Sequence, residues 1–246
     1  MSLSKVPEVT LLFWILKIAA TTLGETGGDA VSMSLGLGYL WSTGIFTVLF
    51  VVAVISQICA KRFHPFMYWA TIVATTTVGT TMADFVDRSL GIGYGGGTAI
   101  LLALLLLSLA TWYRVLGSVS VSTVSSAGAE MFYWLTIMFS QTLGTALGDW
   151  TADTAGLGYA RAALGFSVLL SLVAVAYYRT RVSRTILFWA AFVLTRPLGA
   201  VVGDFLDKPI SAGGLALSRY TASVVLLLLM LATIKLVPQR AGRTGH

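Results

Sequence analysis

One eight-residue pattern occurs four times in the chain. It reads TLGETGGD at residues 22–29, TVGTTMAD at 77–84, TLGTALGD at 142–149 and PLGAVVGD at 197–204. Each copy follows a tryptophan, and in each copy a small residue and then an aspartate come at the same distance from the first glycine. Four coincidences at identical spacing indicate an internal repeat, so the pattern belongs to the fold as a whole.

The composition around this motif is that of a membrane protein. Of the 246 residues 57% are hydrophobic and 11% are charged, and the mean hydropathy is +0.85. A water-soluble domain carries about 25% charged residues, and a bilayer-spanning helix needs about 20 apolar residues. We therefore predict an all-α integral membrane protein with eight transmembrane helices. Their approximate ranges are 9–31, 40–60, 66–87, 98–116, 130–152, 161–178, 185–206 and 215–236.

The motif occurs in every odd-numbered helix, so each repeat consists of two helices. The interval between the second and third copies is longer than the other two intervals, which indicates two tandem pairs. We predict a first four-helix half at 1–117, a cytoplasmic linker at 118–128 and a second half at 129–246. Because each copy contributes two spans, all four repeats have the same orientation and are parallel around an axis along the membrane normal.

The basic residues predict which side of the membrane each connection occupies. Most Lys and Arg residues outside the helices lie at the two termini and near 61–65, 117–128 and 179–184. Under the positive-inside rule these segments are cytoplasmic, and the odd-numbered helices run outward. The repeat tryptophans then lie near the cytoplasmic interface, where we predict an aromatic belt. They are Trp14, Trp69, Trp134 and Trp189.

The acidic residues are concentrated in and just after the motifs. A charged aspartate near the middle of a span costs roughly 2.5–3.5 kcal/mol, so these side chains are expected to face one another, water or a cation. The predicted ion-binding residues, of which the carboxylates are also the predicted metal ligands, are Glu25, Asp29, Asp84, Asp149, Asp204, Thr22, Thr77, Thr80 and Thr142.

Small residues four apart in each motif predict close helix packing. Such small-xxx-small patterns let two helix backbones approach each other within a membrane. Close approach of four motif helices would also bring their aspartates toward one centre. The predicted packing residues are Gly24, Gly28, Gly79, Ala83, Gly144, Gly148, Gly199 and Gly203.

Charge pairs distinguish the even-numbered copies from the odd-numbered ones. Asp84 with Arg88, and Asp204 with Lys208, are opposite charges four residues apart on a helix. The even copies are therefore expected to neutralise themselves. The odd copies have no basic residue at this position, so their carboxylates are expected to lack a partner of this kind.

Two further basic residues interrupt apolar helices. Arg196 directly precedes Pro197. A proline within a helix leaves one backbone carbonyl without its hydrogen bond. Lys17 lies before the first motif. We predict that both serve as counter-charges to the acidic cluster when no ion is bound. For Lys17 the alternative is a side chain that extends toward the membrane surface.

The chain offers few residues for other kinds of chemistry. One cysteine and two histidines cannot supply a four-ligand zinc site, and no Ser/His/Asp or Cys/His constellation is visible. We therefore predict no enzyme activity, no resident cofactor and no nucleic-acid partner, with a homo-oligomer left open. Carboxylates with hydroxyls suit hard cations such as Mn²⁺, Mg²⁺ or Ca²⁺, or protons.

The four motif copies resemble a bacterial family of multi-span proteins described as uncharacterised or membrane-anchored. The similarity covers nearly the whole chain and implies a multi-pass protein of the inner membrane with cytoplasmic termini. Glu25 and Asp29 are also loosely similar to the repeated Glu-x-Gly-Asp signatures of cation and manganese exporters. That similarity implies efflux of a divalent cation such as Mn²⁺.

Three functions follow as expectations. The first is a transporter of small cations, with divalent efflux preferred and an acidic site at the repeat interface. The second is a proton or monovalent-cation channel, which parallel symmetry also permits. The third is a membrane scaffold in which the motif only packs helices. The lipid bilayer is a partner in all three.

Overall fold

The computed structural model describes residues 4–242, which form eight α-helices and thus confirm the all-α prediction. Three of the helices continue directly into a π-helical turn, at Ala30–Ser34, Phe85–Ser89 and Trp150–Thr154. The helices are Leu11–Asp29 (α1), Gly38–Cys59 (α2), Pro65–Asp84 (α3), Tyr94–Leu116 (α4), Ala127–Asp149 (α5), Tyr159–Arg179 (α6), Arg184–Asp207 (α7) and Arg219–Leu236 (α8).

The odd-numbered helices form a closed inner ring. Helix α1 packs against α3, α3 against α5, α5 against α7, and α7 returns to α1. Each even-numbered helix packs outside the ring against the inner helix of the next repeat, and α8 packs against α1. The four repeats are therefore interleaved, and the last helix of the chain covers the first.

The motif glycines lie at the contacts between neighbouring inner helices. A Cβ atom added at Gly79 of α3 would lie 2.8 Å from the backbone carbonyl carbon of Gln141 in α5. The other motif glycines face the next helix in the same sense, so one kind of contact is used around the ring. Their neighbours are Thr76 for Gly24, Thr80 for Gly28, Arg196 for Gly144, Ala200 for Gly148, Thr21 for Gly199 and Glu25 for Gly203, while Ala83 is buried beside Leu143 and Ala146.

Most of the apolar surface belongs to the outer helices. Within residues 4–242, the helices α2, α4, α6, α7 and α8 are long and apolar enough to cross a membrane. The outer four leave most of their apolar side chains exposed, whereas α7 is largely buried. The threonine-rich helices α1, α3 and α5 do not reach this level of hydropathy. Neighbouring inner and outer helices pack against them.

The repeat tryptophans pack inward, so the predicted aromatic belt is wrong for three of the four. Trp69, Trp134 and Trp189 are 1%, 2% and 6% exposed. Each ring contacts an aromatic residue of a neighbouring inner helix, where both partners bury their faces. Trp14 is only partly buried, beside Phe188. We call the closure at this end of the ring the aromatic plug, formed by Phe13, Tyr68, Trp69, Tyr133, Trp134, Phe188 and Trp189.

The two ends of the described chain meet beside the aromatic plug. The Lys5 Nζ atom lies 2.7 Å from Glu130 Oε1 at the start of α5 and donates to the carbonyl of Ile58 at 2.9 Å. The amide of Gly242 donates to the carbonyl of Val6 at 2.8 Å. The N-terminal segment therefore links α2, α5 and the C-terminal segment.

Replacing Lys5 with alanine is expected to lower the free energy of unfolding by about 1–2 kcal/mol, because the buried Glu130 carboxylate loses its charged partner. Titration with SDS of the protein in mild detergent measures the change. Lys61→Ala is the matched control, since Lys61 is exposed on a neighbouring connection. Equal stability of the two variants would contradict the prediction.

Candidate functional site

Equivalent residues of the four inner helices form buried layers across the ring. The aspartate layer consists of Asp29, Asp84, Asp149 and Asp204. Four residues earlier lies the glutamate layer, formed by Glu25, Thr80, Thr145 and Ala200. Four residues earlier again lies the arginine layer, formed by Thr21, Thr76, Gln141 and Arg196. Each layer therefore contains one residue from every repeat.

Arg196 connects the arginine layer with the glutamate layer. Its Nη2 atom donates to Glu25 Oε2 at 2.9 Å and to Thr80 Oγ1 at 2.7 Å, and it also contacts Thr145 Oγ1. The fourth member of the glutamate layer, Ala200, is small and adds no competing donor. The guanidinium is fully buried, so its charge is balanced by Glu25 inside the ring.

Arg88 links two members of the aspartate layer. Its Nε atom lies 3.0 Å from Asp84 Oδ1, and its Nη2 atom lies 3.3 Å from Asp149 Oδ2. The hydroxyl of Tyr94 accepts a hydrogen bond from Nε, and the hydroxyl of Tyr39 accepts one from Nη1. The basic residue of the second copy therefore also pairs with the aspartate of the third copy.

Lys208 repeats this arrangement for the other two aspartates. Its Nζ atom lies 3.0 Å from Asp204 Oδ1 and 3.5 Å from Asp29 Oδ2. Arg219 adds a second cation, 3.6 Å from Asp29 Oδ2 and 3.0 Å from Asp207 Oδ2. The odd copies have no basic partner of their own, as expected, but their aspartates pair with cations from other copies. Helix packing lets each basic residue reach the aspartate of the following copy.

The two bridging cations are held in their charged forms. Burial disfavours the charge of Arg88, but the carboxylates of Asp84 and Asp149 outweigh it and raise its pKa. Burial likewise opposes the charge of Lys208, whereas Asp204 and Asp29 raise its pKa. Both residues follow the ends of inner helices, so they close the aspartate layer at the end opposite the aromatic plug.

Three carboxylates converge where the glutamate and aspartate layers meet. Glu25, Asp149 and Asp204 each offer one oxygen, and these atoms all lie within 4.8 Å of one another. We call this group the carboxylate cluster. Among the described residues, the Oδ1 atom of Asp149 has no hydrogen-bond partner, although the residue is buried. Several carboxylate oxygens with a free acceptor form a donor set suited to a hard cation.

Three of the four predicted threonines lie outside this cluster. The hydroxyls of Thr22, Thr77 and Thr142 donate to carbonyls of their own helices, at Ile18, Val73 and Met138. Residues adjacent on a helix point about 100° apart, so their neighbours in the arginine layer occupy the interior instead. Only Thr80 reaches the site, where its hydroxyl lies 3.2 Å from Glu25 Oε2.

Thr145 and Gln141 were not among the predicted ion-binding residues, although the structure places them in the glutamate and arginine layers. The signal was present in the repeat itself, because both residues lie a multiple of four before Asp149. Arg219 was also missed as a partner of Asp29, and its position follows from the packing of α8 on α1.

Lys17 lies one layer below Arg196, and its side chain does not extend to the protein surface. Its side chain is fully buried, and its Nζ atom donates to Gln141 Oε1 at 3.3 Å and Thr195 Oγ1 at 3.5 Å. The ammonium also lies 4.1 Å from the centre of the Phe192 ring. Within residues 4–242 no carboxylate pairs with it, so the prediction that Lys17 is a direct counter-charge is wrong.

Comparison with known protein families identifies the repeat. The family described as a Repeat of Unknown Function (DUF347) matches residues 12–63, 67–117, 132–183 and 187–237. Each matched segment contains one motif and two helices. No curated protein and no solved structure matches the chain. Since the four segments together cover well over half of the sequence, the chain belongs to the DUF347 repeat family.

Proposed function

We propose that the protein is a membrane carrier of small cations, and that a divalent metal such as Mn²⁺ binds at the carboxylate cluster. The observation that carries the proposal is the convergence of Glu25, Asp149 and Asp204 within 4.8 Å in the buried interior. Hard divalent cations prefer carboxylate oxygens, and affinity rises with the number of charged ligands. The remaining predicted ligands, Asp29 and Asp84, border this position in the aspartate layer.

A membrane location is part of the proposal. The exposed apolar surface of α2, α4, α6 and α8 supports it, because such a large apolar area is unfavourable in water. The polar and charged side chains of the motifs are enclosed by the inner ring instead. The basic connections favour an inner-membrane protein with both termini in the cytoplasm.

The charges inside the ring suggest how the empty carrier is tolerated. Without a bound cation, Arg196 compensates Glu25, and Arg88 and Lys208 compensate the aspartates. An entering divalent cation takes over the carboxylates of the cluster and releases Arg196. The aromatic plug closes one end and the bridging cations close the other, so the described conformation corresponds to an occluded carrier. The preference for efflux rests on the loose similarity of the Glu25 and Asp29 pattern to the signatures of manganese exporters.

Mn²⁺ flux into vesicles containing the purified protein tests the proposal. Asp149→Asn is expected to reduce the initial rate about tenfold or more, because one of the three charged ligands is lost. Asp153→Asn is the matched control, since Asp153 is exposed and its carboxylate accepts a hydrogen bond from Tyr159 outside the ring. The control is expected to transport at the wild-type rate.

Other outcomes would favour the alternative functions. Flux that does not saturate, together with single-channel currents carried by protons or Na⁺, would indicate a channel. Four single variants, each with one motif aspartate replaced by asparagine, test the scaffold. If cells carrying each of them tolerate Mn²⁺ as well as wild-type cells do, the motif has a packing role only. Either result would overturn the carrier.

A further inference from the structure

Lys17 is a buried charge that the cation carrier leaves unexplained. Its layer is otherwise apolar and consists of Ile72, Ile137 and Phe192. Two long hydrogen bonds and one aromatic face surround the ammonium, and none of these carries a full negative charge. An ionised group without a counter-charge in a low-dielectric interior is costly, and lysine can relieve the cost by losing a proton.

Of the groups that face Lys17, the charged one is Arg196, which lies in the neighbouring arginine layer. Helix α8 has no ionisable residue between Thr221 and Ile234. Glu25 lies two layers away and is already bound to Arg196. The remaining ionisable residues of α1, α3, α5 and α7 are Asp29, Tyr68, Asp84, Glu130, Tyr133, Asp149, Arg184, Asp204 and Asp207.

We propose that Lys17 is the proton-binding group of the carrier and that cation binding at the carboxylate cluster drives a proton from its side chain. This inference rests on the proposed carrier and adds the coupling ion. In the described state Arg196 is drawn toward Glu25, away from Lys17. A divalent cation on Glu25 removes that attraction, and the released guanidinium moves toward Lys17.

Like-charge repulsion then decides which side chain loses its proton. Two cations a few ångströms apart in a buried site repel each other far more strongly than in water. Arginine keeps its charge in proteins, whereas lysine can give up its proton. The step is the conversion of an ammonium to a neutral amine and a free proton. Among described residues the Nε and Nη1 atoms of Arg196 have no hydrogen-bond partner, so its polar contacts all run through Nη2 to Glu25, Thr80 and Thr145.

We assign the released proton to a hydroxyl pair inside the aromatic plug, on the side of Lys17 away from the carboxylates. Tyr68 and Tyr133 lie one layer below Lys17, and their hydroxyls are hydrogen-bonded to each other at 2.6 Å. Both side chains are buried in an otherwise apolar region. A hydroxyl pair can accept and pass a proton between this layer and the tryptophan end of the ring.

Proton release on Mn²⁺ binding tests the role of Lys17. The purified full-length protein is placed in weakly buffered detergent solution, Mn²⁺ is added, and a pH indicator reports the protons released per Mn²⁺ bound. Wild type is expected to release about one proton more than Lys17→Gln, because one lysine proton is exchanged per bound cation. Lys17→Arg is expected to bind Mn²⁺ about tenfold more weakly, since its fixed charge cannot leave.

Lys235→Gln is the control, because Lys235 is exposed at the end of α8 and is expected to leave proton release unchanged. Equal release from wild type and Lys17→Gln would overturn the inference while the Mn²⁺ carrier stands. No Mn²⁺ binding by the wild type would overturn both. If Lys17→Gln does not elute as a folded protein, Lys17→Arg becomes the test. Wild-type Mn²⁺ affinity together with wild-type proton release in Lys17→Arg would reject the inference.

Discussion

Replacing Arg196 with glutamine is expected to lower the free energy of unfolding by about 3–5 kcal/mol, the range for breaking a buried ion pair by removing one partner. The guanidinium is fully buried and donates to Glu25, Thr80 and Thr145 from three different helices. Its loss leaves the Glu25 carboxylate without a counter-charge inside the ring. SDS titration of the protein in mild detergent measures the change in stability.

A second substitution separates charge from packing. Glu25→Gln in the Arg196→Gln background is expected to restore most of the lost stability, because the uncompensated carboxylate is removed as well. Saturating Mn²⁺ is expected to stabilise Arg196→Gln more than wild type, since the metal replaces the missing cation. Arg161→Gln, at an exposed position of α6, is the control. Wild-type stability of Arg196→Gln would refute the pairing.

Replacing Gly79 with alanine is expected to destabilise the protein by about 3 kcal/mol. This is the upper end of the usual cost of adding a carbon atom to a well-packed core. A Cβ atom at this position would lie 2.8 Å from the carbonyl carbon of Gln141 and 2.9 Å from the amide nitrogen of Thr142. Both atoms belong to the backbone of α5, which a rotamer change cannot move. Helices α3 and α5 must therefore separate, which also shifts Asp84 relative to Asp149.

Gly165→Ala in α6 is the matched control for this substitution. An added Cβ there meets nothing within 4 Å, and alanine favours a helix over glycine by roughly 1 kcal/mol. The control is expected to be neutral or slightly stabilising in the same SDS titration. A stability change in Gly79→Ala no larger than that in Gly165→Ala would show that the inner helices do not depend on this contact.

Part of the site was accessible from the pattern of residues alone. The identical spacing of the motifs placed four aspartates at equivalent positions, and the expected cost of a charge in hydrocarbon predicted that they face inward. The small residues four apart predicted the contacts that bring the inner helices together. The position of Arg196 within an apolar helix likewise singled it out as a partner for buried carboxylates.

Other parts depended on a rotation that the pattern did not specify. A helix repeats every 3.6 residues, so a position next to the true interior residue appears almost equally favourable in the sequence. Thr22, Thr77 and Thr142 were selected for this reason, although the residues just before them form the arginine layer. The predicted lipid interface was likewise wrong for Trp69, Trp134 and Trp189, which lie in the aromatic plug.

The sequence by itself determined that four equivalent helices enclose their carboxylates, because a fixed spacing repeated four times imposes one orientation on every copy. Only the tertiary structure decided which charges meet. Arg88 and Lys208 each reach the aspartate of the following copy, and Arg196 reaches Glu25 of the neighbouring inner helix α1. Such pairings depend on the order of the helices in the closed ring. Residues far apart in the chain become neighbours only when that ring closes.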